Sequence, residues 1–373
     1  MHKADLDRAV ARILQRIDTT LAQPGAGFPH YADPADGIWQ RSPAGDWTGG
    51  FWCGLLWLAA LRTGEARYRD SAREWAALLA PRAESKSVFK GFLFWYGAGL
   101  GVEFFNDPLA QQLCESGMRG LVDMYNPAAG LIPLGSEAEE ASDTGSNEAN
   151  IDALPGTTAL LLGEGPGSDA YRIGLSHVKQ HIALCVRDNG SVCQSASFDP
   201  QNGSLTRRYT HKGFHSDSTW ARAQAWCMVS LAQAIERGAD ELAPVAMLVS
   251  DWWLAHVPVD HVAYWDFDDT AIPDTNRDTS ATAIAAASLL KLSRLIPERR
   301  SAYQQAAEAT VATLTAQYLT PVTDADTRQP GILTQGCFNK RNGVATEHEL
   351  IWGDYFLLEA LMGLSGDLAP EKI

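Results

Sequence analysis

Apolar residues recur at spacings of three and four along almost the whole 373-residue chain, the period of an α-helix rather than a strand. Leu6, Val10, Ile13, Ile17 and Leu21 form one stripe over residues 3–22, which predicts a helix with a single buried face. The same pattern predicts helices near 50–63, 67–82, 91–106, 108–126, 152–163, 167–187, 218–236, 240–257, 279–296, 299–318 and 352–365. Strand signals are sparse: Gly190-Ser191-Val192-Cys193 and Ala263-Tyr264-Trp265 are short enough to be strands within loops. No Pro/Gly/Ser-rich linker interrupts the chain, so a single domain over 1–373 is expected. The polar, acidic stretch 135–150 reads as a surface loop ahead of a helix.

These segments alternate in character. Those near 50–63, 152–163 and 279–296 are apolar almost all round, whereas those near 3–22, 167–187 and 299–318 carry one apolar stripe. A helix apolar on every side must be buried, and a striped helix must cover it. The expected fold is therefore all-α, with six inner helices sheathed by six outer ones, an (α/α)6 toroid. In that arrangement the inner helices run the same way and their N-termini meet at one rim. The chemically dense segments 46–52, 89–94, 147–155, 211–226, 276–280 and 351–355 fall at those N-termini. Unpaired N–H groups and positive helix ends at that rim favour an anionic ligand.

Composition narrows the class. With 46% hydrophobic and 20% charged residues the chain can bury a large core. A formal net charge of −15 argues against nucleic acid as a partner. No run of eighteen or more apolar residues is present, so no membrane span is expected. The start of the chain runs into an amphipathic pattern rather than a signal core, and Cys53, Cys114, Cys185, Cys193, Cys227 and Cys337 show no metal-type pairing. Together these point to a cytoplasmic protein with reduced, mostly buried thiols. No metal cluster, phosphate loop or nucleophile elbow is visible, so no cofactor is expected. The oligomeric state is not legible.

Two stretches carry the chemistry: Asp46-Trp47-Thr48-Gly49-Gly50-Phe51-Trp52 and His211-Lys212-Gly213, followed by Ser218-Thr219-Trp220-Ala221-Arg222-Ala223-Gln224-Ala225-Trp226. Aromatic faces beside hydrogen-bonding groups suit a sugar, which has an apolar C–H face and a polar rim. Core packing is the competing reading for each tryptophan. With Ile151-Asp152-Ala153-Leu154-Pro155, Asp278-Thr279-Ser280-Ala281 and Gly353-Asp354-Tyr355-Phe356, these pieces resemble the unsaturated glucuronyl hydrolases, glycoside hydrolase family 88.

The resemblance implies the toroid and a reaction on a uronic acid with a C4=C5 double bond, released from the non-reducing end of an oligosaccharide. An acid protonates C4, water adds at C5, and the resulting hemiketal opens. Asp152 matches the family's acid/base aspartate; taken alone, an N-cap is the competing reading. His211 is expected to orient Asp152 or bind a hydroxyl. Trp47, Tyr96, Trp220 and Trp226 are expected at the sugar. Arg222 is expected to pair with a carboxylate, or else to bridge Asp217 or Asp46.

Three positions depart from the family pattern. The resemblance implies a second aspartate in a His-Asp-x-Gly-Phe-type segment, which aligns with Phe89-Lys90-Gly91-Phe92 so that Lys90 replaces that acid; Gln194 replaces a histidine, and Lys212 replaces a glutamine. A lysine beside Asp152 would hold it ionised, a better base than acid. Two further readings follow: a lyase that abstracts the C5 proton of a saturated glucuronide using Lys90 with Asp152, and a non-catalytic sugar-binding toroid. The expected partner is a uronic-acid-containing oligosaccharide or glucuronide.

Overall fold

The computed structural model describes residues 1–368. The chain is predominantly helical, and its helices alternate between an inner and an outer layer. α1 (Lys3–Ala22) is outer, α2 (Gly49–Thr63) inner and α3 (Ala66–Ala77) outer. The second inner arm is α4 (Lys90–Phe94) and α5 (Leu100–Phe105), joined by a wider helical turn, Trp95–Gly99. Outer α6 (Pro108–Val122) follows, then the short α7 (Ala141–Thr144) in a loop, inner α8 (Thr157–Leu162) and outer α9 (Asp169–Cys185). The chain continues with inner α10 (Ala221–Glu236), outer α11 (Ala243–His256), inner α12 (Thr279–Leu295), outer α13 (Arg300–Thr313) and inner α14 (Ile351–Ser365).

Each inner element packs on the next, from α2 through the α4–α5 arm, α8, α10 and α12 to α14, and α14 returns to α2. The cycle closes. Hydrophobic patterning explains the layering: α12 is buried from Thr279 through Ser293 and α14 from Ile351 through Gly363, whereas α1 buries one stripe headed by Leu6, Val10, Ile13 and Ile17. Small residues set the closest approaches. A Cβ at Gly91 would collide with Thr157, and one at Gly156 with the carbonyl of Gly91. Gly156 also takes a φ of +75°, a conformation glycine adopts without a Cβ penalty. This pair of glycines lets α4 approach the segment that carries Asp152.

Two three-stranded antiparallel sheets sit among the loops. One orders β2 (Trp39–Ser42), β1 (Phe28–Ala32) and β6 (Glu349–Leu350); the other orders β3 (Glu148–Asn150), β4 (Ser195–Phe198) and β5 (Leu205–Tyr209). The all-α expectation is thus corrected by these strands. The stretches 190–193 and 263–265, expected as strands, make only isolated bridges, Val186 with Val192 and Tyr264 with Arg277. Their backbone bonds go elsewhere: Gln224 Oε1 accepts from the Val192 N–H at 2.9 Å. Among the described residues no helix is long and apolar enough to cross a membrane.

Candidate active site

Residues from the N-terminal ends of α2, α4, α8 and α10 converge on a narrow cavity that their side chains nearly fill. Its walls are aromatic: Trp47, Phe89, Phe92, Trp220 and Trp226, with Asp152, Glu140, Lys212 and Arg222 as its charged groups. Trp47 packs on Trp352 with ring centroids 4.7 Å apart and on Phe92 at 5.6 Å. Trp226 meets Phe92 at 5.0 Å. The three tryptophans expected at the sugar therefore line the cavity, while Trp47 and Trp226 also pack on neighbouring rings as core residues do.

Asp152 does not cap the helix. It sits in a 3-10 turn, Ile151–Ala153, and its N–H donates to Asn150 Oδ1 at 3.0 Å, so Asn150 is the cap. The carboxylate is left for the cavity. Gln194 Nε2 donates to Oδ2 at 3.0 Å, while Oδ1 is buried without a hydrogen-bond partner. Gln194 is itself held, since its Oε1 accepts from the Lys212 N–H at 3.0 Å. That bond assigns the Gln194 amide as the donor toward Asp152. Burial, reinforced by the charge of Glu140, pushes the Asp152 carboxyl up to about 7 against the pull of Lys212, Arg222 and His211. A carboxyl at that value is an acid near neutrality.

Glu140 went unnoticed in the sequence. It stands in the acidic stretch expected to be a surface loop, yet its side chain is only 7% exposed. It forms an ion pair with Lys212 Nζ, lies 3.0 Å from His211 Nε2, and accepts from Asn150 Nδ2 at 2.6 Å. Burial works to raise its carboxyl, but Lys212 and His211 outweigh it and hold Glu140 well below the usual carboxylate range. The other His211 nitrogen, Nδ1, is 3.2 Å from Ser195 Oγ. His211 thus sits beside Glu140 rather than orienting Asp152 directly. His30, also unforeseen, packs its ring against Trp47, Phe338 and Trp352, and burial lowers it to about 4.

Lys90 is a correction. Its Nζ donates to the carbonyls of Ala83 at 2.9 Å and Gly120 at 3.1 Å, and its chain lines an outer groove with Lys86 and Asp123. Successive residues of a helix point about 100° apart, so Phe89 faces the cavity while Lys90 faces away. Counting back from Gly91-Phe92 in a His-Asp-x-Gly-Phe pattern also puts the acid's place at Phe89. Burial lowers the Lys90 ammonium to about 8, but it touches no cavity group. Lys90→Met is therefore expected to cost about 1–3 kcal/mol of stability, from the carbonyls it leaves unpaired, with kcat/KM little changed. Urea denaturation and steady-state rates check this; a hundredfold rate loss with native stability would contradict it.

Tyr96 is a second correction. It is buried in the barrel interior, stacked on Phe51 at 4.6 Å with its hydroxyl accepting from Gln233 at 3.2 Å, and it does not line the cavity. One turn separates it from Phe92, which does. Arg222 reaches the cavity, but its ion pair is with Asp278 at 2.7 Å rather than Asp217 or Asp46. It also donates to the carbonyls of Cys337 at 2.7 Å and Phe338 at 2.5 Å, and lies 4.3 Å over the Trp220 ring. Gln224 is structural, bonding Gly190 and Val249 carbonyls. Glu349 is taken by Arg16 at 2.8 and 2.5 Å.

An aromatic cavity, an acid poised near neutrality and cations to meet a carboxylate define a glycoside hydrolase acting on an acidic sugar. No family model matches the chain. It is 31% identical over 364 residues to the unsaturated glucuronyl hydrolase of Bacillus sp. (strain GL1), covering 96% of each chain. The crystal structure of that organism's enzyme, described as responsible for glycosaminoglycan degradation, superposes with a TM-score of 0.87 over 96% of each chain at 31% identity. The unsaturated chondroitin disaccharide hydrolase of Streptococcus pneumoniae (strain ATCC BAA-255 / R6) is 26% identical over 373 residues, covering 96% of this chain and 92% of its own. The chain belongs to the unsaturated glucuronyl hydrolase family.

Proposed function

We propose that the enzyme, built as an (α/α)6 toroid, releases a 4,5-unsaturated uronic acid from the non-reducing end of a short oligosaccharide by hydrating the C4=C5 bond. The observation that carries this reading is the unpartnered Oδ1 of Asp152 in an aromatic cavity, on a carboxyl raised to about 7. Protonated Asp152 gives its proton to C4. The positive charge that develops at C5 takes a water, whose proton returns to the Asp152 carboxylate. The C5 hemiketal then opens at the ring oxygen to a ketone, and the hemiacetal so formed at C1 collapses to an aldehyde and releases the leaving sugar. Arg222, only partly answered by Asp278, supplies positive charge for the uronate carboxylate, and Trp47 and Trp220 supply faces for the ring.

The leaving sugar falls to the adjoining cleft, which shares Lys212 and adds His211, Arg207, Tyr209, Asn339 and Arg341. Its arginines favour a leaving sugar with an anionic substituent, in keeping with the chondroitin and glycosaminoglycan substrates of the relatives. A lyase reaction loses its support with Lys90 outside the site, and the one lysine inside is neutralised by Glu140. The test is ultraviolet absorbance of the conjugated double bond. With an unsaturated uronic disaccharide the absorbance is expected to fall. A rise with a saturated glucuronide would instead establish a lyase.

A further inference from the structure

Asp152 and Glu140 are the two carboxylates that line the cavity among the described residues, and one side chain ties them together. Asn150 accepts from the Asp152 N–H through Oδ1 at 3.0 Å and donates to Glu140 Oε2 through Nδ2 at 2.6 Å. The wall where a second acid is expected from the family pattern is apolar here, formed by Phe89 and Phe92. Lys212 lines the cavity with Asp152, and Lys212 and His211 are both held by Glu140.

We propose that Glu140 is the second acid of this site, a positioning residue whose fixed charge neutralises Lys212 and so keeps the transferable proton on Asp152. The proposal rests on the hydration reading, because only an acid at Asp152 needs such a partner. Without Glu140, an unanswered ammonium would face a buried carboxyl and pull its proton away. The charged groups packed around Asp152 bear this out in sign. Lys212 and His211 come from the loop after β5 and Arg222 from α10, each favouring the ionised form, and Glu140 opposes them. Arg222 is partly answered by Asp278 at the start of α12. His30 on β1, with Asp46 and Lys212 as its charged neighbours, is held neutral by burial and adds no charge. The relocation also explains how Phe89 is tolerated: the carboxylate has moved from a helix to a loop, and the cavity keeps two acids.

The test is a carbon-13 titration of labelled Asp152 in the free enzyme, assigned against Asp152→Asn, with pH profiles of kcat/KM beside it. In Glu140→Gln, whose amide keeps an acceptor for Asn150, the Asp152 midpoint is expected to fall by about 1–3 units, and the alkaline limb of kcat/KM to move down with it. Lys212→Met should move both the opposite way, since the two carboxylates then share a proton with less opposition. A folded Glu140→Gln with an unchanged midpoint overturns the proposal. Should Glu140→Gln fail to fold, Lys212→Met decides: a rise supports the proposal, and an unmoved midpoint overturns it. The titration needs no substrate, so failure of the hydration reading would show separately, as wild-type enzyme that leaves the unsaturated disaccharide intact.

Discussion

Asp152→Asn is expected to cut turnover by roughly 10²–10⁴, the usual worth of a general acid or base, while the fold survives. An asparagine carbonyl can still accept from Gln194, so the hydrogen-bond network around residue 152 need not collapse. What goes is the proton for C4. The pH dependence has a fixed sign. The reactive form is protonated, and burial with Glu140 raises that form's limit to about 7; kcat/KM in the wild type is therefore flat below that value and falls about tenfold per unit above it. Steady-state rates across pH, with far-ultraviolet circular dichroism of the variant, check both statements. Full activity in Asp152→Asn would remove the residue from the mechanism.

The second large effect is on folding. Arg222 and Asp278 are a fully buried pair, with side chains 1% and 0% exposed. The remaining Asp278 oxygen accepts from the Ser280 and Ala281 N–H groups at 3.1 and 3.3 Å and from the Ser280 hydroxyl at 2.6 Å, capping α12. Removing one partner of such a pair strands the other's charge in a dry interior, which costs about 3–5 kcal/mol. Arg222→Ala is expected to lose that much in urea denaturation, together with the stacking on Trp220 and a cation beside the cavity. Its KM for a uronate should rise in whatever fraction stays folded. Wild-type stability would mean that Asp278 finds another partner.

Much of this was legible in the sequence, because helix periodicity and all-round apolarity are local properties. Asp152, Trp47, Trp220 and Trp226 sit at or near helix starts, and the fold gathers them with Gln194, His211 and Lys212 from the loops beside β4 and β5. Two failures have definite causes. Lys90 was a matter of register: one residue along a helix turns a side chain from the cavity to the outer groove, and periodicity near a helix start does not fix which residue points in. Glu140 was a matter of tertiary choice. Glu137 bonds the Lys86 N–H and Glu139 bonds Arg82, so of three acids within four residues only one enters the site. Nothing in Glu137-Ala138-Glu139-Glu140 tells them apart. The strands Phe28–Ala32 and Trp39–Ser42 were missed because a bulge between Pro29 and Tyr31 breaks their alternation.

The closure of α14 onto α2 bears on how the protein is made. Trp47 leans on Trp352, and Tyr31 pairs with Leu350 across β1 and β6, so the sugar wall joins residues more than three hundred positions apart. During synthesis the early helices leave the ribosome long before their partner exists. Contacts of such sequence separation form late and slowly. Until α14 arrives, the apolar faces of α2 are uncovered and Trp47 lacks the Trp352 ring it packs on. A nascent chain stopped short of Ile351 would therefore expose the apolar faces of α2 and α12 that α14 covers, an open, aggregation-prone arc.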